Sequence, residues 1–270
     1  MSSCGLPGRR EVPMALQVPS RHNARLQQLV ERINADAELS QIWKCANINA
    51  VDRCGISDHG EVHIRIVANA ALRILRLLLE SGIKPGVVAN YALGDDDAEV
   101  VVVLAASLHD LGIAVHRDDH EQYSLALAYP KARQLLTGIY EEPTLTIVVS
   151  EVLHAVVAHR WETRCLTIEA GVVKVADALD MTQGRSRIPF EAGQVNIHSV
   201  SALAIEAVNI EKGTDRPVRV AVTLSNSAGI FQVDELLKRK LSNSTLEPYV
   251  EVVARISGES ERRLIGVYKL

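Results

Sequence analysis

The sequence predicts a mainly α-helical body followed by a small α+β unit of β-β-α-β-β order. Three observations point there. Between residues 26 and 182 apolar side chains recur at helical spacing, and beyond about residue 190 the period drops to two. A chain of 270 residues with 47% hydrophobic content is also long enough for one generous core, or for a main domain and a smaller second one. The expected organisation is residues 1–20 without fixed structure, 21–190 as the helical domain and 191–270 as the α+β domain.

Each element has a local reason. Residues 1–20 carry Pro, Gly and Ser without periodicity. Leu26, Leu29, Val30 and Ile33 then run i, i+3, i+4, i+7, the spacing of a short amphipathic helix. Residues 61–80 are rich in Ala and Leu and apolar on most sides, a long buried helix ended by Ser81-Gly82 and then Pro85-Gly86. Asp95, Asp96 and Asp97 cap the next helix, whose valine run also fits a buried strand. The acidic cap and the Ala-rich second half favour a helix. Further helices are expected at about 121–138, 143–160 and 166–182. The change of character follows Arg187-Ile188-Pro189. Strands are expected at 202–210, at Val218, Val220, Val222 and Leu224, and at Val250, Val252, Ala254 and Ile256, with Gly258-Glu259 turning into a last strand at 263–270. Val233, Leu236, Leu237 and Leu241 mark one helix between them. Its Lys238-Arg239-Lys240 run reads as a solvated face, and Ser225–Gly229 before it as an ordinary strand-to-helix turn.

Composition removes several classes of function. The 29 basic and 33 acidic residues leave a net charge of −4, which disfavours long nucleic acid as a partner because a duplex demands a broad basic face. Aromatic residues are only 4% of the chain, a poor supply for a base-stacking platform. The longest apolar runs fall well short of the ~20 residues that span a bilayer, so no membrane partner is expected. Residues 1–20 hold no apolar leader core, and the four cysteines form no CxxC spacing, so the expected compartment is the cytoplasm with reduced thiols. The C-terminal strands offer a sheet edge for homo-oligomer formation.

Histidine is where the sequence becomes specific. Seven of its nine histidines lie between positions 59 and 159. His63, the adjacent pair His109-Asp110, His120, His159 and Asp177 each sit on a segment that otherwise reads as buried helix or helix edge. An ionised Asp177 inside VVKVADAL is costly unless a metal ion or a buried arginine compensates its charge. Imidazoles combined with carboxylates suit borderline divalent ions such as Mn, Fe, Co, Ni or Zn, whereas Mg prefers oxygen. Satisfied core polar groups are the alternative for His63, His109, Asp110 and Asp177. For His120 and His159 the alternatives are substrate contacts or surface positions at helix ends. His59 shares a helical face with His63 four residues later, so it competes as a ligand or else touches substrate at the helix start.

VHIRIV with His63, LAASLHDLG with His109 and Asp110, and VVKVADALD with Asp177 together resemble the HD-domain superfamily of metal-dependent phosphohydrolases. His120 in RDDHEQYS and His159 in HAVVAHR resemble the two added histidines of members with two metals. The stretch from there through VADALDMTQGRSR is similar to the ribonuclease Y family. The resemblance covers about residues 55–188. It implies an HD-type helical bundle, one or two divalent transition metals, Asp110 as a bridging ligand, and hydrolysis of a phosphate ester by a metal-activated water. The substrate it implies is a small, nucleotide-like phosphomonoester or phosphodiester. One departure stands out: many active members carry a lysine just after the HDxG turn, where this chain has Ile113. Arg117, Arg160, Lys174, Arg185 and Arg187 are the candidate replacements. Arg185 and Arg187, in the segment 183–187 that begins one to two turns past Asp177, would clamp a phosphate or a nucleotide tail, or simply complement a helix C-terminus. A non-catalytic metal- or nucleotide-binding regulator is the competing reading, motivated by Ile113 and the extra domain. An RNA-cleaving phosphodiesterase is a third, opposed by the scarcity of aromatics in the strands.

Overall fold

The computed structural model describes residues 15–182 and 201–257, and the backbone of 267–269. Helix α1 (Ala24–Ala35) buries Leu26, Leu29, Val30 and Ile33, and Asn23 caps it by accepting a hydrogen bond from the Leu26 N–H. The chain is held in place earlier than its composition suggests. Leu16 is buried, its N–H donates to Asn34 Oδ1 at 2.7 Å, and Asn34 Nδ2 donates back to its carbonyl at 3.0 Å. Residues 15–20 therefore pack on α1, contrary to the expectation of an unstructured leader through residue 20. Residues 1–14 lie outside the described residues.

Helix α2 (Ala37–Asn47) was not foreseen. Asp36 ends α1 and starts α2, its carboxylate accepting from the Leu39 N–H, and a π-type turn over Ile48–Arg53 follows. Helix α3 (Glu61–Glu80) and a short α4 (Gly86–Tyr91) lead to α5 (Asp95–Leu108). The valine run is helical. Asp97 accepts the Gly94 N–H in the first turn, and every residue from Ala98 to Leu108 is buried. A helix apolar on all sides must lie in the middle, and α3, α7 (Thr144–Ala158) and α8 (Ile168–Ala178) surround it, with α1 on another side. Helix α6 (His120–Leu136) packs on α7 and on the turn that follows α5.

The C-terminal part is a four-stranded sheet of order β1-β2-β3-β4: β1 (Ile205–Lys212), β2 (Val218–Leu224), β3 (Val250–Ile256) and β4 (Val267–Lys269). The outer pairs are antiparallel and β2–β3 is parallel. A parallel pair needs a crossover, and a π-type turn at Gln232–Leu237 running into α9 (Lys238–Ser242) supplies it. This is the expected β-β-α-β-β order. Strand β2 alternates as foreseen. Glu251 and Val253 of β3 are buried as well, so both faces of this strand are covered along most of its length, and Glu251 accepts from the Thr214 N–H and pairs with Arg219. One apolar cluster spans the described residues from Leu16 to Ile256, the sheet packing on α3 and its crossover on α8.

Candidate metal centre

The site is built at the end of the central helix. Leu108 is the last helical residue of α5, so His109 and Asp110 leave it into a tight turn, Leu111–Ala114. Gly112 is required there. A Cβ on it would meet the His120 carbonyl oxygen at 2.0 Å and the Ser124 nitrogen at 2.5 Å. Ser124 Oγ donates to the His109 carbonyl at 2.6 Å and accepts from the Gly112 N–H at 2.8 Å. This clasp fixes the His109-Asp110 turn against the first turn of α6, which begins with His120. Asp119 just before it is left-handed, with φ at 53°, and Arg160 holds its carboxylate at 2.7 Å.

All six expected ligands come together. His63 Nε2 lies 3.2 Å from His109 Nε2, 3.2 Å from Asp110 Oδ2 and 3.4 Å from Asp177 Oδ1. His109 Nε2 lies 3.2 Å from Asp110 Oδ2 and 3.7 Å from Asp177 Oδ1. The other oxygen of Asp110 faces a second pair: Oδ1 is 3.2 Å from His120 Nε2 and 3.5 Å from His159 Nε2, and these nitrogens are 3.2 Å apart. Donor atoms about 2.0–2.2 Å from one ion stand roughly 3–3.5 Å from each other, so both groups have the spacing of a coordination shell. Asp177 is slightly exposed; the other five are buried.

The far side of each imidazole decides which nitrogen presents a lone pair. His63 Nδ1 donates to Asp180 Oδ2 at 2.7 Å, His109 Nδ1 to the Ala106 carbonyl at 2.9 Å, and His159 Nδ1 to the Val156 carbonyl at 2.5 Å. Carboxylate and carbonyl oxygens only accept, so these three rings carry their hydrogen on Nδ1 and aim an unprotonated Nε2 at the centre when neutral. His120 is less committed. Its Nδ1 lies 3.0 Å from the Arg117 carbonyl and 2.7 Å from the Arg117 guanidinium, which pulls the ring toward the other tautomer.

The donor set is therefore chemically suited to divalent metal, and its electrostatics agree. Burial alone would lower the pKa of His109, but Asp110 and Asp177 beside it outweigh burial and push it up from 6.5 to about 10. Burial alone would raise both carboxylates. His109, with His120 and His159, holds Asp110 far below the usual range, and Lys240, with His109 and His63, does the same for Asp177. Burial keeps His159 below 6.5. A proton on His109 thus occupies, in the metal-free protein, the place that suits a cation.

The sign of the pH effect follows. The His109 proton stabilises the metal-free fold fully below about pH 6.5, and that contribution is lost as pH rises through about 10. A metal competes for the same nitrogen, so apparent affinity should rise between those limits, roughly tenfold per pH unit for each proton displaced. Calorimetric titration of Mn(II) at pH 7 in buffers of differing ionisation enthalpy should show proton release. Binding heats independent of the buffer would contradict it.

A cavity of about 670 Å³ opens onto the centre. His59 lines it, its ring centroid 5.2 Å from that of His63 and its Nδ1 donating to the Ser57 carbonyl at 2.6 Å. It sits beside the six-residue cluster. Arg117 and Arg160 also line the cavity. Lys174 does not: it is fully buried and donates to the Thr163 carbonyl. Arg185 and Arg187 lie outside the described residues. Ile113 is packed in a small apolar cluster with Ala46 and Ala50.

Two residues of the site escaped sequence reasoning. Asp180, which orients His63, lies three residues after Asp177 and just past the end of α8, its N–H donating to the Asp177 carbonyl at 3.3 Å. Lys240 was read as part of a solvated face, and the structure corrects this. Lys238 is exposed and pairs with Asp234, but Arg239 stacks over the Trp161 ring at 5.6 Å and Lys240 pairs with Asp177 Oδ2.

A family model described as "HD domain" matches residues 62–182, from just before His63 to just past Asp180. The chain is also 42% identical over 231 residues to an uncharacterized protein of Methanocaldococcus jannaschii, an alignment covering 86% of this chain and 89% of that one. Among the described residues no helix is long and apolar enough to cross a membrane.

Proposed function

Because the chain belongs to the HD-domain superfamily of metal-dependent phosphohydrolases, we propose that it hydrolyses a phosphate ester of a small, nucleotide-like molecule, a phosphomonoester or phosphodiester. One observation carries the reading: Asp110 turns one carboxylate oxygen to His63 and His109 and the other to His120 and His159. His63, His109, Asp110 and Asp177 would hold one divalent ion, and Asp110, His120 and His159 a second, with Mn, Fe, Co, Ni or Zn all compatible with these donors. Such ions, when bound, supply Lewis acidity that lowers the pKa of water toward ~7 and offsets charge on phosphoryl oxygens.

The protein's own groups do the rest. The Nδ1 hydrogen bonds of His63, His109 and His159 keep their Nε2 atoms aimed inward before any ligand arrives. Arg117 and Arg160 place positive charge on the cavity wall, where they would contact a phosphate. His59 stands at the rim beside His63, within reach of a substrate. The volume of about 670 Å³ is that of a small-molecule pocket and favours a compact substrate over a duplex.

A regulator that binds metal and nucleotide without turnover is the second reading, favoured by the apolar Ile113 beside the turn. Protein loaded with Mn(II) or Fe(II) and screened against phosphomonoesters, phosphodiesters and cyclic nucleotides separates the two. The expected result is release of phosphate or opening of a phosphodiester with at least one nucleotide class. Tight nucleotide binding with no turnover across the panel favours the regulator.

A further inference from the structure

We propose that Lys240, delivered by the C-terminal unit, is the phosphoryl-binding cation of this site and takes the place that Ile113 leaves apolar. The inference rests on the hydrolase reading above. Ile113 is buried against Ala46 and Ala50, away from the cavity, so the turn itself brings no ammonium group to the centre. Lys240 does. It lines the cavity and pairs with Asp177 Oδ2, while Asp177 Oδ1 faces His63 and His109. An ammonium has three N–H donors, and the carboxylate occupies one. Among the described residues no second acceptor meets it, so the others can serve an anion held at the adjoining centre.

The position of Lys240 is fixed by how its segment is seated. Asn243 Nδ2 donates to the Trp161 carbonyl at 2.9 Å, the Cys165 N–H donates to the Asn243 carbonyl at 3.1 Å, and Thr245 Oγ1 donates to the Thr167 carbonyl at 2.8 Å. Arg239 lies over the Trp161 ring, and Glu235 holds its guanidinium at 2.8 Å. Gly171 of α8 lets the segment come this close, since a Cβ there would stand 2.4 Å from Thr245 Oγ1. Five contacts on the α7–α8 loop and α8 therefore deliver one lysine from a run of three cations to the carboxylate that ends the family motif. In this arrangement the C-terminal unit is a wall of the site.

The test uses the full chain loaded with Mn(II), with inorganic phosphate as the probe and manganese content measured separately. Lys240→Met should keep its manganese and bind phosphate roughly tenfold or more weakly, the scale of a lost charge-assisted hydrogen bond. Lys240→Arg should recover most of the affinity. Lys240→Gln, which keeps polarity and removes charge, serves if methionine disturbs the fold. Unchanged phosphate affinity in the neutral variants overturns the role of Lys240 and leaves the hydrolase reading standing. Loss of manganese in those variants also overturns it, since the lysine would then only brace Asp177. A parent protein that holds manganese but binds no phosphate sinks both readings together.

Discussion

Asp110→Ala should strip the centre of metal and abolish hydrolysis in one step. Of the six clustered residues, Asp110 turns one carboxylate oxygen to each group, with Oδ2 at 3.2 Å from His63 and His109 and Oδ1 at 3.2 Å and 3.5 Å from His120 and His159. Its removal takes one anionic donor from each prospective ion and leaves four buried imidazoles with Asp177 as the remaining carboxylate. The loss also acts through His109, whose raised pKa depends first on Asp110. The fold should survive, because the residue sits in the turn after α5 rather than in its apolar body, and the Ser124 clasp uses backbone atoms of His109 and Gly112. Elemental analysis of protein purified without chelator, together with a circular dichroism melt, checks this. Asp110→Asn, which keeps the shape and removes the charge, should bind metal weakly rather than not at all. Full metal content in Asp110→Ala would mean that the carboxylate does not bridge the two groups.

How much of this was legible in the sequence depended on whether the signal was local. The buried helices α3 and α5 announced themselves through continuous apolar runs, and the acids before α5 settled its type against the strand that its valines also suited. Helix α4 escapes notice because it has only 6 residues, and α2 because its apolar face is sparse. Leu39, Trp43 and Ala46 of α2 show a face only once Asp36 is seen to cap it. The six clustered residues were readable because each lies in a recognisable stretch of its own and their order along the chain is itself informative. Lys240 was not, since nothing in Lys238-Arg239-Lys240 says which of three cations turns inward. That choice is made by the seat of Asn243 and Thr245 on the α7–α8 loop, 82 and 78 residues away in sequence. The order of strands and helix along the chain was legible from the alternation, but the order β1-β2-β3-β4 within the sheet and the parallel β2–β3 pairing were not.

Asp180→Asn tests the part of the centre that supports the ligands rather than supplying them. Asp180 Oδ2 receives the Nδ1 hydrogen of His63 at 2.7 Å, and its side chain is almost completely buried. An ionised carboxylate can only accept, so it fixes one tautomer of His63 and leaves the Nε2 lone pair facing His109, Asp110 and Asp177. Asparagine offers both an acceptor and a donor in the same volume. If its amide N–H₂ turns to Nδ1, the ring hydrogen moves to Nε2 and blocks the lone pair; if its carbonyl turns there, a neutral acceptor replaces the charged one that holds the ring. Either way affinity should fall, by about 10–100-fold for partners of this kind. The effect should be confined to the ion near His63, because His120 and His159 draw their orientation from Arg117 and from the Val156 carbonyl. Titration of the metal-free variant with Mn(II), followed by electron paramagnetic resonance, should then resolve one site near parental affinity and one much weaker. Two sites weakened equally, or neither, would show that Asp180 does not act through His63.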